Sequence, residues 1–314
     1  MDCQSEAQRS ASLLKETTLV RLLGLRIRKR QFQPSSINVD LNSVDFIELL
    51  KGPNVSERLQ DLLTEACDLA ERAGSLTLNW FGQTTLEIES KADGSEVTDA
   101  DRAAERFIRE QLAVLHPDHA VRGEEEGGTV DPDRLTWIID PIDGTRGFAR
   151  GVPLFSTLLA VADSSGPIIG VIHVPILQST VAAGRGIGCW FNGKRTYVSD
   201  ISALSNALVN TSSFETFADS WLLGLKNSGA MMRTWGDAFG YYLVATGQAE
   251  AMIDPVCSPW DLAPMPVILE EAGGRFSDLA GEPYFDLNAT SDSISGMASN
   301  GLLHDDLLEI LKMT

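Results

Sequence analysis

Asp140 and Asp143 are two carboxylates three residues apart, in a segment that could bring a cation and a phosphate to them. The segment, residues 137–148, has the sequence Trp-Ile-Ile-Asp-Pro-Ile-Asp-Gly-Thr-Arg-Gly-Phe. Its apolar start predicts a buried strand, and Asp-Pro-Ile-Asp-Gly predicts the turn that ends the strand. Carboxylates beside glycine-loosened backbone N–H groups suit a hard divalent cation and a phosphate. Phosphoryl chemistry is the leading hypothesis, and the alternative is that both acids only form a turn.

Three further acids also lie at the predicted ends of elements. Asp101 follows Thr98 by three residues, which is the spacing of a capping box at a helix start. Glu124 lies in a glycine-bounded acidic loop, and Asp261 lies in the first turn of a helix predicted to begin after Ser258. Taken singly, these are a cap, a solvated loop and a second helix start. If they converge on Asp140, they could not all stay ionised without cations, and two or three Mg²⁺ would give a two-metal geometry for phosphoryl transfer.

The hydrophobic pattern predicts the elements that would position these acids. Helices are predicted from Asn54, over residues 98–115, 215–227 and 237–246, and after Asp261. Strands are predicted over residues 86–90, over 155–162 and 168–174 as a hairpin, and over 207–211. This order predicts an α/β protein with two halves and a site in the crevice between them. The halves are an α+β half, residues 54–198, and an α/β half, residues 199–314.

Residues 1–53 are predicted to be a poorly ordered N-terminal extension. Residues 1–33 hold seven Lys and Arg against three acids, without the apolar region of a secretory signal. Organelle targeting by this segment is an alternative that we do not favour.

Composition and charge limit the predicted partners and compartment. The net charge of −19 argues against nucleic acid, because binding to a phosphate backbone depends on Lys and Arg. No apolar run approaches the ~18 residues of a membrane span, so no membrane association is predicted. The four cysteines have no CxxC spacing, which indicates neither a zinc site nor a disulfide framework. Their scatter favours a reducing compartment, and the cytoplasm is the predicted location.

Four ordered motifs resemble those of the inositol monophosphatase superfamily of Mg²⁺-dependent, Li⁺-sensitive phosphatases. Asp140–Thr145 resembles its Asp-Pro-Ile-Asp-Gly-Thr signature, and Trp260–Ala263 followed by Glu271–Gly274 resembles its C-terminal signature. Val97–Asp101 and Gly123–Glu125 resemble its two other acidic motifs. The resemblance covers about residues 56–313. It implies the layered αβαβα sandwich of the sugar phosphatases and a homodimer.

The resemblance also implies a ligand set for two or three Mg²⁺ ions. Glu124, Asp140 and the carbonyl oxygen of Ile142 would hold the first ion. Asp140, Asp143 and Asp261 would hold the second, and Glu124 would help to hold a third.

The groups that handle water and phosphate follow from the same resemblance. Thr145 and Glu124 would orient a water whose pKa the metal lowers, and Asp101 would support that water and Thr145. The backbone N–H groups of Gly144 and Thr145 would bind the phosphate, and Lys91 matches the lysine of the family's active-site loop. The implied reaction is in-line hydrolysis of a small-molecule phosphate monoester by this water, without a phosphoenzyme.

Within the superfamily the chain is most similar to the histidinol-phosphate phosphatase branch, over residues 143–153, 233–244 and 300–305. Asp237 stands where inositol-type members have a small or hydroxyl residue, and an anionic pocket suits a substrate with an amine and an imidazole. Asp254, seven residues before Asp261, and Arg233 are also expected to contact the substrate. The alternatives are that Asp237 caps the following helix and that Asp254, before Pro255, forms a turn.

Histidinol phosphate, an intermediate of histidine biosynthesis, is therefore the predicted substrate. The alternatives are inositol 1-phosphate, another small sugar phosphate or a nucleotide 3′-phosphate, and, more remotely, a non-catalytic regulatory binding protein. Pro264 and Pro266 are expected to distort the helix after Asp261, because each removes a backbone donor.

Overall fold

The structure is a computed structural model that describes residues 55–83, 86–90 and 96–312. The predicted extension, residues 1–53, and Lys91, the predicted lysine of the active-site loop, lie outside the described residues. The described residues all belong to one compact unit. Among the helices described, none is both long and apolar enough to cross a membrane.

The helices of this part of the chain include two long amphipathic ones at its start. Leu62, Ala66, Leu69 and Ala73 are buried along one face of the first, at the spacing that the sequence predicts. The helices are α1 (Val55–Thr77), α2 (Asp99–Leu115), α3 (Thr145–Ala149), α4 (Asp219–Ser228), α5 (Asp237–Ala245), α6 (Pro259–Leu262), α7 (Met265–Glu271) and α8 (His304–Leu311).

A short ribbon and a seven-stranded sheet make up the first half of the described chain. The ribbon pairs β1 (Ile88–Ser90) with β2 (Glu96–Thr98). The sheet has the strands in chain order, with the first pair parallel and the others antiparallel. The predicted hairpin is confirmed, since residues 156–163 pair antiparallel with residues 166–174. The sheet strands are β3 (Ala120–Gly123), β4 (Thr136–Asp143), β5 (Ser156–Asp163), β6 (Gly166–Val174), β7 (Ser179–Gly184), β8 (Gly188–Phe191) and β9 (Lys194–Arg195).

A second, five-stranded sheet follows in the described chain. Its strand order is β11-β10-β12-β14-β13, with β10 parallel to both of its neighbours and β14 antiparallel to both of its own. The predicted boundary between the halves, at residue 198, falls between the last strand of the larger sheet and the first of this one. The strands are β10 (Leu208–Asn210), β11 (Met231–Arg233), β12 (Ala251–Cys257), β13 (Arg275–Ser277) and β14 (Ile294–Ser299).

Five layers result, because both faces of each sheet are covered. Helices α1 and α2 share a core with one face of the larger sheet. Helices α5, α6 and α7 share a second core with its other face and with the smaller sheet. Helices α4 and α8 cover the remaining face of the smaller sheet. The αβαβα sandwich is confirmed, and double coverage explains why the central strands are apolar along almost their whole length.

Two of the predicted helices are not continuous over their predicted residues: one starts later, and the other is divided. Helix α4 begins at Asp219, four residues after the predicted start, because Glu215 and Phe217 make turn bonds to Ser213 and Phe214 instead. The helix after Asp261 is divided into α6 and α7 at Ala263 and Pro264. This distortion is the one predicted from the two prolines.

Candidate active site

Three carboxylates meet where β4 ends. Asp140, Asp143 and Asp261 each place one oxygen within 4.8 Å of the others. The β4–β5 register shifts between Asp140 and Asp143, and such a bulge lets residues three apart point to the same side. Asp261 comes from the first turn of α6, where it also closes a capping box with Ser258. The predicted convergence of these three acids is therefore present.

These carboxyls are buried close to one another, which disfavours their charge. Asp140 is 2% exposed, and burial raises its pKa well above the ordinary value. The neighbouring carboxyls of Glu124, Asp143 and Asp261 raise this pKa further. Burial likewise raises the pKa of Asp143 and of Asp261. Charge on this cluster is therefore disfavoured both by burial and by repulsion between the carboxyls.

A divalent cation fits this arrangement. Buried Oδ1 of Asp140 has no hydrogen-bond partner among the described residues, although a buried carboxylate oxygen is normally satisfied. Several carboxylate oxygens around one point are the ligands that Mg²⁺ and Ca²⁺ prefer. The cluster and the adjacent carbonyl of Ile142 could therefore hold such an ion.

Glu124 reaches the cluster from the loop that follows β3. Its backbone N–H donates to the carbonyl oxygen of Ile139 at 3.1 Å, which attaches the loop to β4 one residue before Asp140. Its carboxyl is among the charges that raise the pKa of Asp140 and of Asp261. The loop is thus more than a solvated acidic turn.

The capping box of α2 leads directly to Thr145. Oδ2 of the fully buried Asp101 accepts from the Thr98 backbone N–H at 2.8 Å and from the Thr98 hydroxyl at 2.6 Å. Oδ1 of Asp101 lies 3.3 Å from the Thr145 hydroxyl, which is also 2.9 Å from the carbonyl oxygen of Ile142. Asp101 therefore caps α2 with one carboxylate oxygen and contacts Thr145 with the other, so the capping role and the role in the site are compatible.

Gly144, the residue before α3, lies next to Asp237, the first residue of α5. Gly144 has a φ of +83°, and a Cβ there would lie 3.0 Å from Oδ2 of Asp237. Asp237 itself has a φ of +51°, in the left-handed region that non-glycine residues rarely adopt. Glycine at 144 therefore leaves room for the Asp237 carboxylate beside the acidic cluster.

The start of α5 is attached to the acidic cluster through its backbone. The N–H of Ala238 donates to Oδ2 of Asp143 at 2.6 Å, and the N–H of Asp237 donates to the Ser212 hydroxyl at 2.7 Å. The N-cap residue of α5 is Gly236 and Asp237 is the first residue inside the helix, so the interpretation of Asp237 as the helix cap is wrong. Its carboxyl is solvent-accessible, but surrounding protein atoms raise its pKa, and the nearby Arg146 and Ser212 partly offset that rise.

Asp254 is 3% exposed within β12, close to Asp237. The interpretation of Asp254 as a turn residue is wrong, because the strand continues through Pro255 to Cys257 with a bulge. Oδ1 of Asp254 accepts from the Ser212 backbone N–H at 3.1 Å. Burial raises the pKa of Asp254 to about 7. Asp254 and Asp237 thus form an acidic wall beside the cluster.

Arg233 is exposed on β11. Within the described residues its guanidinium donates to the Met232 carbonyl oxygen at 2.7 Å and lies 5.8 Å from the Trp235 ring centroid. Its predicted substrate contact stays a prediction. Ser212 and Arg146, two polar residues next to the acidic wall, were not predicted as site residues. Arg146 directly follows Thr145 and could have been considered from that position.

Comparisons with known proteins agree with this geometry. The model of the inositol monophosphatase family matches residues 58–312. A histidinol-phosphatase of Mycobacterium tuberculosis is 39% identical over 257 residues, which are 79% of this chain and 96% of that protein. A fructose-1,6-bisphosphatase/inositol-1-monophosphatase of Thermotoga maritima is 33% identical over 80% of this chain and 96% of that protein.

A solved structure of similar fold is the IMPase of Thermotoga maritima. It superposes with a TM-score of 0.72 and 30% sequence identity, over 80% of this chain and 96% of that one. The shared fold extends over both sheets, which together supply the residues around the carboxylate cluster.

Proposed function

Since this chain belongs to the inositol monophosphatase family and is therefore a phosphoric monoester hydrolase, we propose that its substrate is histidinol phosphate and its cofactor is Mg²⁺. The observation that carries the substrate assignment is the acidic wall of Asp237 and Asp254 beside the carboxylate cluster. The similarity to histidinol-phosphatases supports it.

A cationic substrate group satisfies the acidic wall better than a neutral polyol. Asp254 is buried with a pKa of about 7, so its ionised form lacks stabilising positive charge in the free protein. The protonated amine of histidinol phosphate would supply that charge and hydrogen bonds to a carboxylate. A polyol would supply hydrogen bonds alone.

Mg²⁺ ions would be held by the acids at the end of β4. Glu124, Asp140 and the Ile142 carbonyl oxygen would hold one ion, and Asp140, Asp143 and Asp261 a second, with Glu124 also helping to hold a third. When bound, Mg²⁺ neutralises phosphate charge and lowers the pKa of a coordinated water.

The chain's own residues would orient the reactants. The Thr145 hydroxyl lies 3.3 Å from Oδ1 of Asp101, so it can donate its proton there and leave its oxygen free to accept from the attacking water. Glu124 would accept the second hydrogen bond of that water. The backbone N–H groups of Gly144 and Thr145 would bind non-bridging oxygens of the phosphate.

A second candidate substrate class is inositol 1-phosphate and other small sugar phosphates. The 33% identity to the bifunctional Thermotoga maritima enzyme favours it. We also propose a cytoplasmic homodimer, as the family resemblance implies. Sedimentation at twice the chain mass of 34.0 kDa would support the dimer, and sedimentation at that mass would contradict it.

Phosphate release tests the function. Histidinol phosphate, myo-inositol 1-phosphate and adenosine 3′,5′-bisphosphate are compared with Mg²⁺ and with EDTA. We expect the highest kcat/KM with histidinol phosphate and no turnover in EDTA. A higher kcat/KM with either of the other two substrates would refute the substrate assignment, and turnover that persists in EDTA would refute the metal requirement.

Replacing Asp237 by Ser tests the acidic wall. Removing one charged hydrogen bond of about 1.5–3 kcal/mol should raise KM for histidinol phosphate by about ten- to hundredfold. KM for myo-inositol 1-phosphate should change little. Asp219→Ser is a matched control, since Asp219 is an exposed acid at the first position of α4. An equal rise in KM for both substrates would contradict the assignment.

A further inference from the structure

Glu105 is a fully buried carboxylate that the reaction outlined above does not use. It lies on α2 one turn after Asp101, so both acids are on the same side of the helix. Its Oε2 accepts from the backbone N–H of Glu125 at 2.8 Å, and its Oε1 accepts from that of Glu126 at 3.0 Å. The two residues that follow Glu124 are therefore bound through their backbone.

Arg109 completes this attachment from the next turn of α2. Its Nε donates to Oε1 of Glu105 at 2.8 Å, and its Nη2 donates to the Gly127 carbonyl oxygen at 2.6 Å. Oε2 of Glu126 lies 3.7 Å from the same guanidinium. A partly buried ion pair thus connects the helix to the far end of the acidic loop, and its geometry is set by several hydrogen bonds rather than by charge alone.

The loop backbone is shaped around the Glu105 carboxylate. A Cβ at Gly123 would lie 2.0 Å from Oε1 of Glu105, so no side chain fits there. The Gly123 N–H donates to the Gly127 carbonyl oxygen at 2.9 Å, which closes the loop on itself. Successive backbone N–H groups that converge in this way form a concave binding site for an anion, and here the anion is Glu105.

We propose that Glu105 is a positioning residue that holds Glu124 in place as a metal ligand. This inference rests on the proposed Mg²⁺ site. Three adjacent glutamates repel one another and the Asp140 cluster, and without a fixed backbone Glu124 would move away from Asp140 in the metal-free protein. Glu105 fixes residues 125 and 126, while the Ile139 carbonyl fixes residue 124. Helix α2 therefore holds Thr145 through Asp101 and Glu124 through Glu105.

The test is Glu105→Gln in the full chain. Glutamine has one acceptor oxygen where glutamate has two, so one loop N–H would face an amide NH₂, and the charge opposite Arg109 is lost. We measure Mg²⁺ binding by calorimetry without substrate, and amide hydrogen exchange of residues 124–127 in the metal-free protein. We expect Kd for Mg²⁺ to rise about ten- to hundredfold, and the exchange of these amides to become faster.

Glu250→Gln is the matched control. Glu250 is also a buried carboxylate that accepts from a backbone N–H, that of Leu208 at 2.7 Å, but it lies directly before β12 of the smaller sheet. This variant should lose stability and keep Kd for Mg²⁺ within about twofold of the wild-type value. Its behaviour separates a general loss of stability from a loss of metal-site geometry.

Each outcome decides the proposal. A wild-type Kd in Glu105→Gln overturns the positioning role, whatever the change in stability. If Glu105→Gln does not fold, Glu105→Asp keeps the charge opposite Arg109 but is one methylene shorter, so its oxygens cannot reach both loop N–H groups, and an unchanged Kd in that variant overturns the role. A wild-type protein that binds no Mg²⁺ refutes the proposed metal site itself, and the exchange rates then report on the loop contact alone.

Discussion

Replacing Asp140 by Asn should stabilise the metal-free protein and abolish its response to Mg²⁺. Asp140 is the buried carboxyl that would be shared by two ions, and in their absence the neighbouring carboxyls of Glu124, Asp143 and Asp261 disfavour its charge. Asparagine has nearly the same shape and no charge, and its amide can donate to a neighbouring carboxylate. The variant therefore removes repulsion in the metal-free state and a ligand in the metal-bound state.

The size of the stabilisation follows from the geometry. Two full charges 4.8 Å apart repel by about 3.5 kcal/mol at an effective dielectric constant of about 20, and one oxygen of each of the three carboxylates lies within 4.8 Å of one oxygen of each of the others. Protonating a carboxyl of ordinary pKa 3.8 at about pH 7 costs roughly 4 kcal/mol. The repulsion from two charged neighbours at this separation would be larger than that cost. Protonation therefore limits the repulsion, and we expect Asp140→Asn to raise the free energy of unfolding by about 2–4 kcal/mol.

Urea unfolding in EDTA and in excess Mg²⁺ measures both effects. In EDTA the Asp140→Asn midpoint should lie above that of the wild type. Mg²⁺ at a hundred times its Kd should raise wild-type stability by about 2.7 kcal/mol and leave the variant unchanged. The Glu250→Gln variant, which alters the buried carboxylate directly before β12, should be destabilised and keep its Mg²⁺ response. A variant less stable than the wild type in EDTA at about pH 7 would refute the repulsion argument.

Two further predictions concern pH and the Thr145 hydroxyl. Because the pKa values of Asp140, Asp143 and Asp261 are raised, the metal-free folded state binds more protons than the unfolded chain. The contribution of these three carboxyls to the free energy of unfolding therefore falls as the pH rises above the ordinary carboxyl pKa of 3.8. The stabilisation by Mg²⁺ should accordingly grow with pH, and a gain that shrinks from pH ~5 to ~7 would contradict the carboxylate cluster as the binding site. Thr145→Val should lower kcat roughly a hundredfold with little change in Mg²⁺ affinity, because the proposed role of the hydroxyl is to orient water. Thr145→Ser retains the hydroxyl and should keep most of the activity, and an equal loss in both variants would argue against that role.

Much of the fold could be predicted because its signals act between residues close in the chain. The capping box at Thr98 and Asp101 marks the start of α2, and the turn at residues 164–165 joins the predicted hairpin. The prolines after Asp261 divide the helix there, as predicted. Helix α4 was predicted four residues too early, since the side chain of Ser213 competes locally for the backbone of Glu215.

The candidate site could be predicted in part. The acids Asp101, Glu124, Asp140, Asp143 and Asp261 lie at or near the ends of elements. The structure groups the last four, and Asp101 contacts Thr145 beside them. Glu105 was not singled out, because on the sequence it is one more acid in a helix rich in charge. Its role depends on a loop 20 residues away whose backbone N–H groups turn toward it.

The order and types of the residues determined the family, the layered fold and the phosphatase chemistry, because motifs and periodicity are properties of short stretches of chain. Only the tertiary structure decided the contacts that tune the site. The bond from Ala238 to Asp143 joins residues 95 apart, and Ser212 meets Asp254 across 42 residues. Residues so far apart in the chain meet because the two sheets pack against a shared layer of helices. Burial in that packing, which the sequence does not specify locally, raises the pKa of Asp254 to about 7.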